Sequence, residues 1–323
     1  MPIYPLSYSI PESVIIEDIP VKTRLFSVAT PIKYNITPRT HTDEGSYYQN
    51  YREALFGKTS KKGGWDCMRH YEILANGCIP YFEDLSDCPK NTLTMFPKEL
   101  VIEGMKLLGS SFEEIDMEKY NEIVRKLLKY TLEHLTTRAM AQYVMNKCNV
   151  NPKRVLILHF NNEYYMSHSM INGFKHCLGT NAVEYPFVEV LYDDYPEESS
   201  KQLYGMGFSY TRRVPSAYKT NYSGEDIIQQ IKNKEFDFVY YGINCSMNQD
   251  KDFYRSLPFW NEVNDNYSKE NIAICCGEDC NPMTKCPPHI GCGYYHAEYH
   301  PCTIKSLSDR GYNIFIRELG DVE

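Results

Sequence analysis

Residues 61–80, KKGGWDCMRHYEILANGCIP, constrain the fold more than any other part of the chain. Gly63 and Gly64 allow a tight turn with unusual backbone angles, and residues 65–75 then have the pattern of a helix with Asp66 near its start. Gly77 ends this helix, and the apolar run 78–82 predicts a short strand that enters a sheet. The stretch therefore predicts a glycine turn, a helix and a buried strand in immediate succession.

The same stretch carries residues suited to binding a nucleotide. The first turn of the helix has free backbone N–H groups and the positive end of the helix dipole, and Lys61 and Lys62 directly precede it, which predicts a site for a diphosphate. Arg69 and Glu72 are three residues apart and share a face, so the Arg can hold an anion while the Glu accepts two hydroxyls of a ribose or sugar. The alternative interpretation is a Lys-rich loop, an ordinary Arg/Glu pair on a helix and a buried strand.

The segment KKGGWDCMRHYEILANGCIPYF resembles the donor-nucleotide motif of glycosyltransferases with the GT-B fold, which has two Rossmann-like domains. The motif is similar to the exostosin-like and family 1-like patterns. The resemblance implies that Glu72 binds the ribose or sugar of a nucleotide sugar, and that Arg69 and Lys62 face the diphosphate. The donor-binding residues expected from it are Lys62, Gly63, Gly64, Trp65, Asp66, Arg69, His70 and Glu72.

The flanking sequence predicts an α/β fold. Strand candidates at 23–29 and 54–56 enclose a short helix at 46–55, and a chain of 323 residues is long enough for two domains of roughly 150 residues. A break at 148–153 divides the chain into residues 1–148, predicted as a Rossmann-like donor domain, and residues 149–323, predicted as an acceptor-side domain. Ligands of such parallel sheets lie beyond the carboxyl ends of the strands.

The second half predicts another series of alternating strands and helices, with strands at 154–160, 236–242, 272–276 and 313–317. The segments ILHFNNEYYMSHSMINGFKHCLGTNAVEYP, YYGINCS, IAICCGEDC and NIFIREL resemble the acceptor-side domain of the same glycosyltransferases. In that family this domain comes first, and a segment like YPLSYSIPE follows FIREL. Here FIREL is at 315–319 and YPLSYSIPE at 4–12, so the resemblance implies a circularly permuted GT-B enzyme.

Transfer of a sugar to an acceptor hydroxyl needs either a base or a retaining arrangement without one. The base is expected at the end of the first strand of the second domain, where Glu163 and His168 are the candidates, although relatives tend to carry an acidic residue where His168 stands. The alternative is a solvated loop carboxylate and a His on a helix surface. Asp193 and Asp194 are weaker candidates for the same role.

Composition limits the partners that we expect. A formal charge of −8 argues against a general nucleic-acid-binding protein, because phosphates require a basic face. The polar, Pro-broken start and the lack of an apolar run of 18 residues predict a cytoplasmic protein without a membrane span, with its 12 cysteines as free thiols. The expected partners are a nucleotide sugar donor and a glycan or other hydroxyl acceptor.

A C-terminal group of cysteines and histidines suggests zinc, but its spacing is irregular for a structural site. We therefore predict no metal and no cofactor besides the donor substrate. Two alternatives to a glycosyltransferase remain at this point: a non-catalytic nucleotide- or carbohydrate-binding module, and a zinc-stabilised interaction protein. The residues in the group are Cys275, Cys276, Cys280, Cys286, His289, Cys292, His296, His300 and Cys302.

Overall fold

The computed structural model describes residues 3–28, 41, 43–160, 165–243, 253–279 and 301–321. These residues form two parallel sheets covered by helices. The strands are β1 (Ile3–Pro5), β2 (Arg24–Phe26), β3 (Ala54–Lys58), β4 (Ile79–Tyr81), β5 (Val155–His159), β6 (Ala182–Tyr185), β7 (Phe238–Ile243), β8 (Ile272–Cys276) and β9 (Asn313–Ile316). The predicted α/β class is confirmed.

The helices alternate with the strands as the sequence predicts. They are α1 (Glu44–Arg52), α2 (Met68–Ala75), α3 (Lys98–Met105), α4 (Met117–His134), α5 (Thr137–Lys147), α6 (Tyr165–Leu178), α7 (Glu197–Ser200), α8 (Gly224–Lys232), α9 (Trp260–Asn266) and α10 (Pro301–Asp309). Residues 116–147 form a pair of helices, because Thr136 caps α5 by accepting a hydrogen bond from the Ala139 N–H at 3.1 Å. Within the described ranges no helix has the length and apolar character needed to span a bilayer.

The larger sheet has the strand order β1-β9-β8-β7-β5-β6, and all its neighbours are parallel. Leaving β1 aside, its strands follow the doubly wound order 2-1-3-4-5, in which the direction of strand addition reverses beside β5. The N-terminal strand β1 lies at the edge of this sheet, where Tyr4 pairs with Phe315. The segments YPLSYSIPE and FIREL are therefore neighbours in space.

The smaller sheet, β2-β3-β4, is also parallel. Parallel sheets of this kind are compatible with Rossmann-like folds, whereas the two-domain GT-B architecture and its permutation stay predictions. The division at residue 148 stays a prediction too, and β1 comes from its N-terminal side to join the sheet of the C-terminal side.

Side chains that alternate along the larger sheet divide the core into two parts. Val155 and Ile157 point to a core that continues to the smaller sheet, whereas Leu156 and Leu158 point to a second core beneath α8, α9 and α10. Apolar residues at helical intervals within 116–147 are predicted core positions, and one of them is an exception, since Leu132 is 49% exposed. It stands at the edge of the buried stripe of α4, whose other predicted members are buried: Ile123, Leu127 and Leu128, followed by Leu135, Met140 and Val144 after the end of α4.

Helices α5 and α6 hold the first core together through a close backbone contact. A Cβ atom added at Gly173 would lie 2.1 Å from the carbonyl oxygen of Thr137 and 3.1 Å from the Cβ of Ala141. Thr137 also donates its hydroxyl to Asn172 at 2.6 Å. Gly173 has a helical backbone conformation that any residue can adopt. Glycine is therefore required here by the close packing of the two helices and not by its backbone angles.

We expect Gly173→Ala to lower the free energy of unfolding by about 1–3 kcal/mol, because the added methyl must push α5 away from α6. Denaturant titration measures the change. Gly45→Ala in exposed α1 is the matched control, since it adds the same methyl where a flexible Asp43 side chain is the nearest contact. Equal stability of the two variants would contradict the packing argument.

Candidate functional site

Helix α2 begins at Met68, three residues later than the sequence predicts. Cys67, the residue that precedes it, has an extended backbone with φ −125° and ψ 139°. The backbone N–H groups of Trp65 and Asp66 both donate to the carboxylate of Glu318, the latter at 2.8 Å. The helix begins later than the sequence predicts because these two N–H groups donate to Glu318, which is more than 250 positions away in the chain.

A buried guanidinium organises this end of the helix. Arg317, which is fully buried at the end of β9, donates to the carbonyl oxygen of Asp66 and to the carboxylates of Asp279 and Glu318. We call these four residues the Arg317 cluster. Burial raises the pKa of Asp66 to about 6 and that of Glu318 to about 7, although the charge of Arg317 opposes both shifts.

The two glycines of the loop make room for this cluster. A Cβ at Gly63 would lie 2.3 Å from Oδ2 of Asp279, and one at Gly64 would lie 2.3 Å from Oε1 of Glu318. This side of the loop therefore faces carboxyl groups, and one of them takes the backbone donors that were predicted for a diphosphate. An anion would have to be held by side chains instead, those of Lys62 just before the two glycines and Arg69 in α2.

Lys62 and Arg69 form a pair of neighbouring cations. Lys62 is half-buried, and burial together with the charge of Arg69 lowers its pKa. Lys61 stands nearby with its Nζ 5.5 Å from the centre of the Trp65 ring. Like charges brought together in this way repel one another, and a bound anion would relieve that repulsion.

Glu72 lies one turn after Arg69 and is only 7% exposed. Its Oε2 accepts a hydrogen bond from the Tyr47 hydroxyl at 2.6 Å, and its Oε1 accepts one from the Ser209 hydroxyl, also at 2.6 Å. Burial raises the pKa of Glu72, whereas the hydrogen bonds from Ser209 and Tyr47 and the charge of Arg69 oppose the shift. The carboxyl group is thus placed to accept two hydroxyls, here supplied by the chain itself.

Three of the predicted donor contacts are core residues. Trp65, Asp66 and His70 are all less than 9% exposed. The ring nitrogens of His70 are both within hydrogen-bond distance of protein oxygens, Nδ1 at 2.9 Å from Oγ1 of Thr59 and Nε2 at 2.8 Å from the carbonyl of Trp65. Burial, and then the charge of Arg69, lower its pKa to about 3, so it is a neutral residue that ties the loop to the end of β3.

Ser209 belongs to a segment, residues 203–211, that we call the strap. Its backbone turns through left-handed conformations at Gly205, Met206, Gly207 and Ser209. The strap reaches across from the second half of the chain, where the Ser209 N–H donates to Glu44 of α1 at 2.7 Å. Sequence reasoning missed the strap; the two closely spaced glycines were the available signal, since they favour such turns.

A small cavity lies between the strap and the start of α6, the helix that follows β5. Tyr165 and His168 of α6 line one wall, and strap residues form the rest: Leu203, Tyr204, Gly207, Phe208, Tyr210 and Thr211. Because strand addition reverses beside β5, this is where a doubly wound sheet is expected to bind ligands. Of the two candidate bases, His168 lines this cavity and Glu163 lies outside the described residues.

His168 is 8% exposed, and burial, followed by the influence of His159, lowers its pKa to about 3. The nitrogens of His159 lie 2.7 and 2.8 Å from the carbonyl oxygens of Phe160 and Pro186. His168 is therefore neutral at pH 7 and a weak base in this conformation. The weaker candidates, Asp193 and Asp194, lie on the surface; one accepts from the Ser216 N–H at 3.0 Å and the other pairs with Lys219 at 2.6 Å.

Among the residues that the structure describes, no three His, Cys, Asp or Glu side chains are grouped to hold a metal ion. Cys275 and Cys276 are buried free thiols in β8. Most of the remaining Cys and His candidates, from Cys280 to His300, lie outside the described ranges. The prediction of no metal thus stays a prediction.

No protein-family model, curated protein or solved structure matches the chain. The resemblance to glycosyltransferases consequently stays a prediction, and so does the assignment of donor-binding and base roles to single residues. The function proposed below therefore rests on the geometry around α2.

The raised pKa of Glu318 predicts a pH-dependent contribution to stability. The pKa of Glu318 is about 7 in the folded state, whereas the ordinary pKa of a Glu side chain is 4.5. Such a group stabilises the fold fully below pH 4.5, and this contribution to stability is lost as the pH rises through 7. We expect the parent to lose up to about 3 kcal/mol of unfolding free energy relative to Glu318→Gln over this interval.

Urea titrations of both proteins at pH 4.5, 6 and 8 measure the difference. Comparing parent with variant removes the opposite slope that buried His70 and His168 contribute, because their lowered pKa values favour the fold as the pH rises. Parallel stability curves for the two proteins would contradict the prediction.

Proposed function

We propose that the chain is a glycosyltransferase that moves a sugar from a nucleotide diphosphate sugar to an acceptor hydroxyl. The observation that carries this proposal is Glu72, a buried carboxyl group that receives two hydroxyl hydrogen bonds one turn after Arg69, which in turn stands beside Lys62. A carboxylate that accepts hydroxyls and a pair of cations, one on the same short helix and one in the loop before it, match the two parts of a nucleotide sugar.

The proposed roles follow from charge and geometry. The hydroxyls of the ribose or sugar would replace those of Tyr47 and Ser209 on Glu72, and the diphosphate would lie between Lys62 and Arg69. A guanidinium and an ammonium bind phosphate oxygens through charge-assisted hydrogen bonds. The same cations would stabilise the negative charge that develops on the departing nucleoside diphosphate.

In the reaction, the acceptor oxygen forms a bond to the anomeric carbon while the bond from that carbon to the diphosphate oxygen breaks. The electron pair leaves with the nucleoside diphosphate, and the acceptor proton passes to a base. Glu163 and His168 remain the proposed candidates for that base. The aromatic cavity beside His168 is the proposed acceptor site, since Tyr and Phe rings suit contact with sugars.

We expect Glu72→Ala to abolish both donor binding and turnover while the fold is preserved, because the substitution removes the carboxylate that accepts the two hydroxyls. A thermal-shift and calorimetric screen against nucleoside diphosphates and their sugar conjugates measures binding, since a ligand that binds the native state raises its apparent stability. Release of nucleoside diphosphate measures turnover.

Glu122→Gln is the control for loss of a carboxylate, since Glu122 is exposed on α4 and pairs with Lys126 of the same helix at 2.7 Å. The control is expected to bind and turn over the donor like the parent. Donor turnover by Glu72→Ala at the parent rate would overturn the assignment.

A non-catalytic nucleotide- or carbohydrate-binding module is the second candidate, and the state of His168 favours it. A His whose pKa is lowered to about 3 is a poor proton acceptor at neutral pH. In that case the parent would bind a nucleotide sugar in a Glu72-dependent manner and yet release no nucleoside diphosphate, with or without hydroxyl acceptors. Measured turnover would exclude this candidate.

A further inference from the structure

The strap contributes to both proposed ligand sites. Ser209 donates to Glu72 of the donor site, and six other strap residues line the cavity. Any movement that frees Glu72 therefore changes the shape of the cavity that contains His168. Because the two sites share the strap, a ligand that binds at one site affects binding at the other.

Ser209 is the point where the strap is fastened to the donor side. Its N–H donates to Glu44 at 2.7 Å, its hydroxyl donates to Glu72 at 2.6 Å, and its Oγ lies 3.0 Å from the Tyr48 hydroxyl. Phe208 adds a ring stacked on Tyr47, with the centroids 5.5 Å apart. Four contacts thus converge on two adjacent strap residues.

These contacts hold the strap backbone in a conformation that is not its energy minimum. Ser209 has φ 74° and Met206 has φ 59°, values that residues with a Cβ rarely adopt. Such conformations persist where surrounding contacts enforce them, and they are common at ligand clamps and switch segments. The glycines at 205 and 207 can absorb the change of backbone angles when the contacts are released.

The far end of the strap is fixed. Tyr210 is 1% exposed and donates its hydroxyl to the carbonyl of Ser9 at 2.6 Å. Tyr204 at the other end is 69% exposed and contacts Tyr165 of α6, with the ring centroids 5.7 Å apart and a hydrogen bond from the Tyr165 hydroxyl to its carbonyl at 3.4 Å. The part that can swing is accordingly residues 203–209, with the buried Tyr210 as its anchor.

We propose that residues 203–209 are an internal plug: their Ser209 hydroxyl occupies the place of a ligand hydroxyl on Glu72, and a donor must displace them before the acceptor cavity takes its working shape. This inference rests on the proposed function of Glu72. It implies that the donor binds first and the acceptor second, because only displacement of the plug rebuilds the cavity.

The first arm of the test needs no ligand. Hydrogen exchange followed by mass spectrometry compares the parent with Ser209→Ala, which removes the hydroxyl bond to Glu72 and keeps the backbone contact to Glu44. Loss of one hydrogen bond to a carboxylate is expected to raise exchange in 204–209 roughly tenfold. Thr131→Val in α4 is the control for loss of one buried hydroxyl, since the Thr131 hydroxyl donates to the carbonyl of Leu127 at 2.7 Å.

Faster exchange confined to the strap supports the plug. Unchanged exchange there, or faster exchange spread evenly over the molecule, overturns it, because either result means that the Glu72 contact does not hold the strap closed.

The second arm adds ligands: uridine and guanosine diphosphate and their glucose and mannose conjugates. A probe that binds should raise exchange in 204–209 and bind Ser209→Ala roughly tenfold more tightly than the parent, since the variant has less to displace. Slower exchange in the strap on binding, or weaker binding by the variant, overturns the plug. Failure of every probe to bind either protein counts against the proposed function, and the first arm then decides the plug alone.

Discussion

The burial of Arg317 is the constraint on which the rest of the structure depends. A guanidinium removed from water is costly unless it is paired and hydrogen-bonded, and Arg317 meets that demand by drawing Asp66, Asp279 and Glu318 from three separate segments. The result joins the end of β9 to the glycine loop before α2. Tyr8, which follows β1, packs its ring 4.5 Å from the same guanidinium and donates its N–H to Asp66 at 2.7 Å. Both sheets are thereby tied together at one point.

That tie determines the electrostatics of the candidate site. The carboxyl groups needed by Arg317 take the side of the loop next to Gly63 and Gly64, so negative charge is concentrated there. Cationic Lys62 and Arg69 lie together, and Glu72 follows one turn later against the strap. The short helix α2 thus has one end committed to holding the fold, and hydroxyls of Tyr47 in α1 and Ser209 in the strap cover Glu72 on its next turn.

Local pattern was sufficient for much of the fold. The strand predicted at 272–276 is β8 as found, the apolar run at 154–160 contains β5, and the run at 236–242 covers β7 except for its last residue, Ile243. Buried parallel strands are continuous apolar runs, which a sequence pattern detects. Glu72 and Arg69 were found through their helical spacing. The same reasoning failed for Leu132, which lies at the margin of a buried stripe, and for the start of α2, where donors of Trp65 and Asp66 are used by a distant carboxylate.

The sequence by itself therefore determined the alternation of the main strands and helices and which side chains of α2 share a face. Only the tertiary structure decided that Glu318 accepts hydrogen bonds from the N–H groups of Trp65 and Asp66, that β1 joins the larger sheet, and that Ser209 covers Glu72. The physical reason is distance along the chain. Spacing reports neighbours within a few turns, whereas the Asp66–Glu318 and Glu72–Ser209 contacts join residues 252 and 137 positions apart, and their existence depends on how both cores pack.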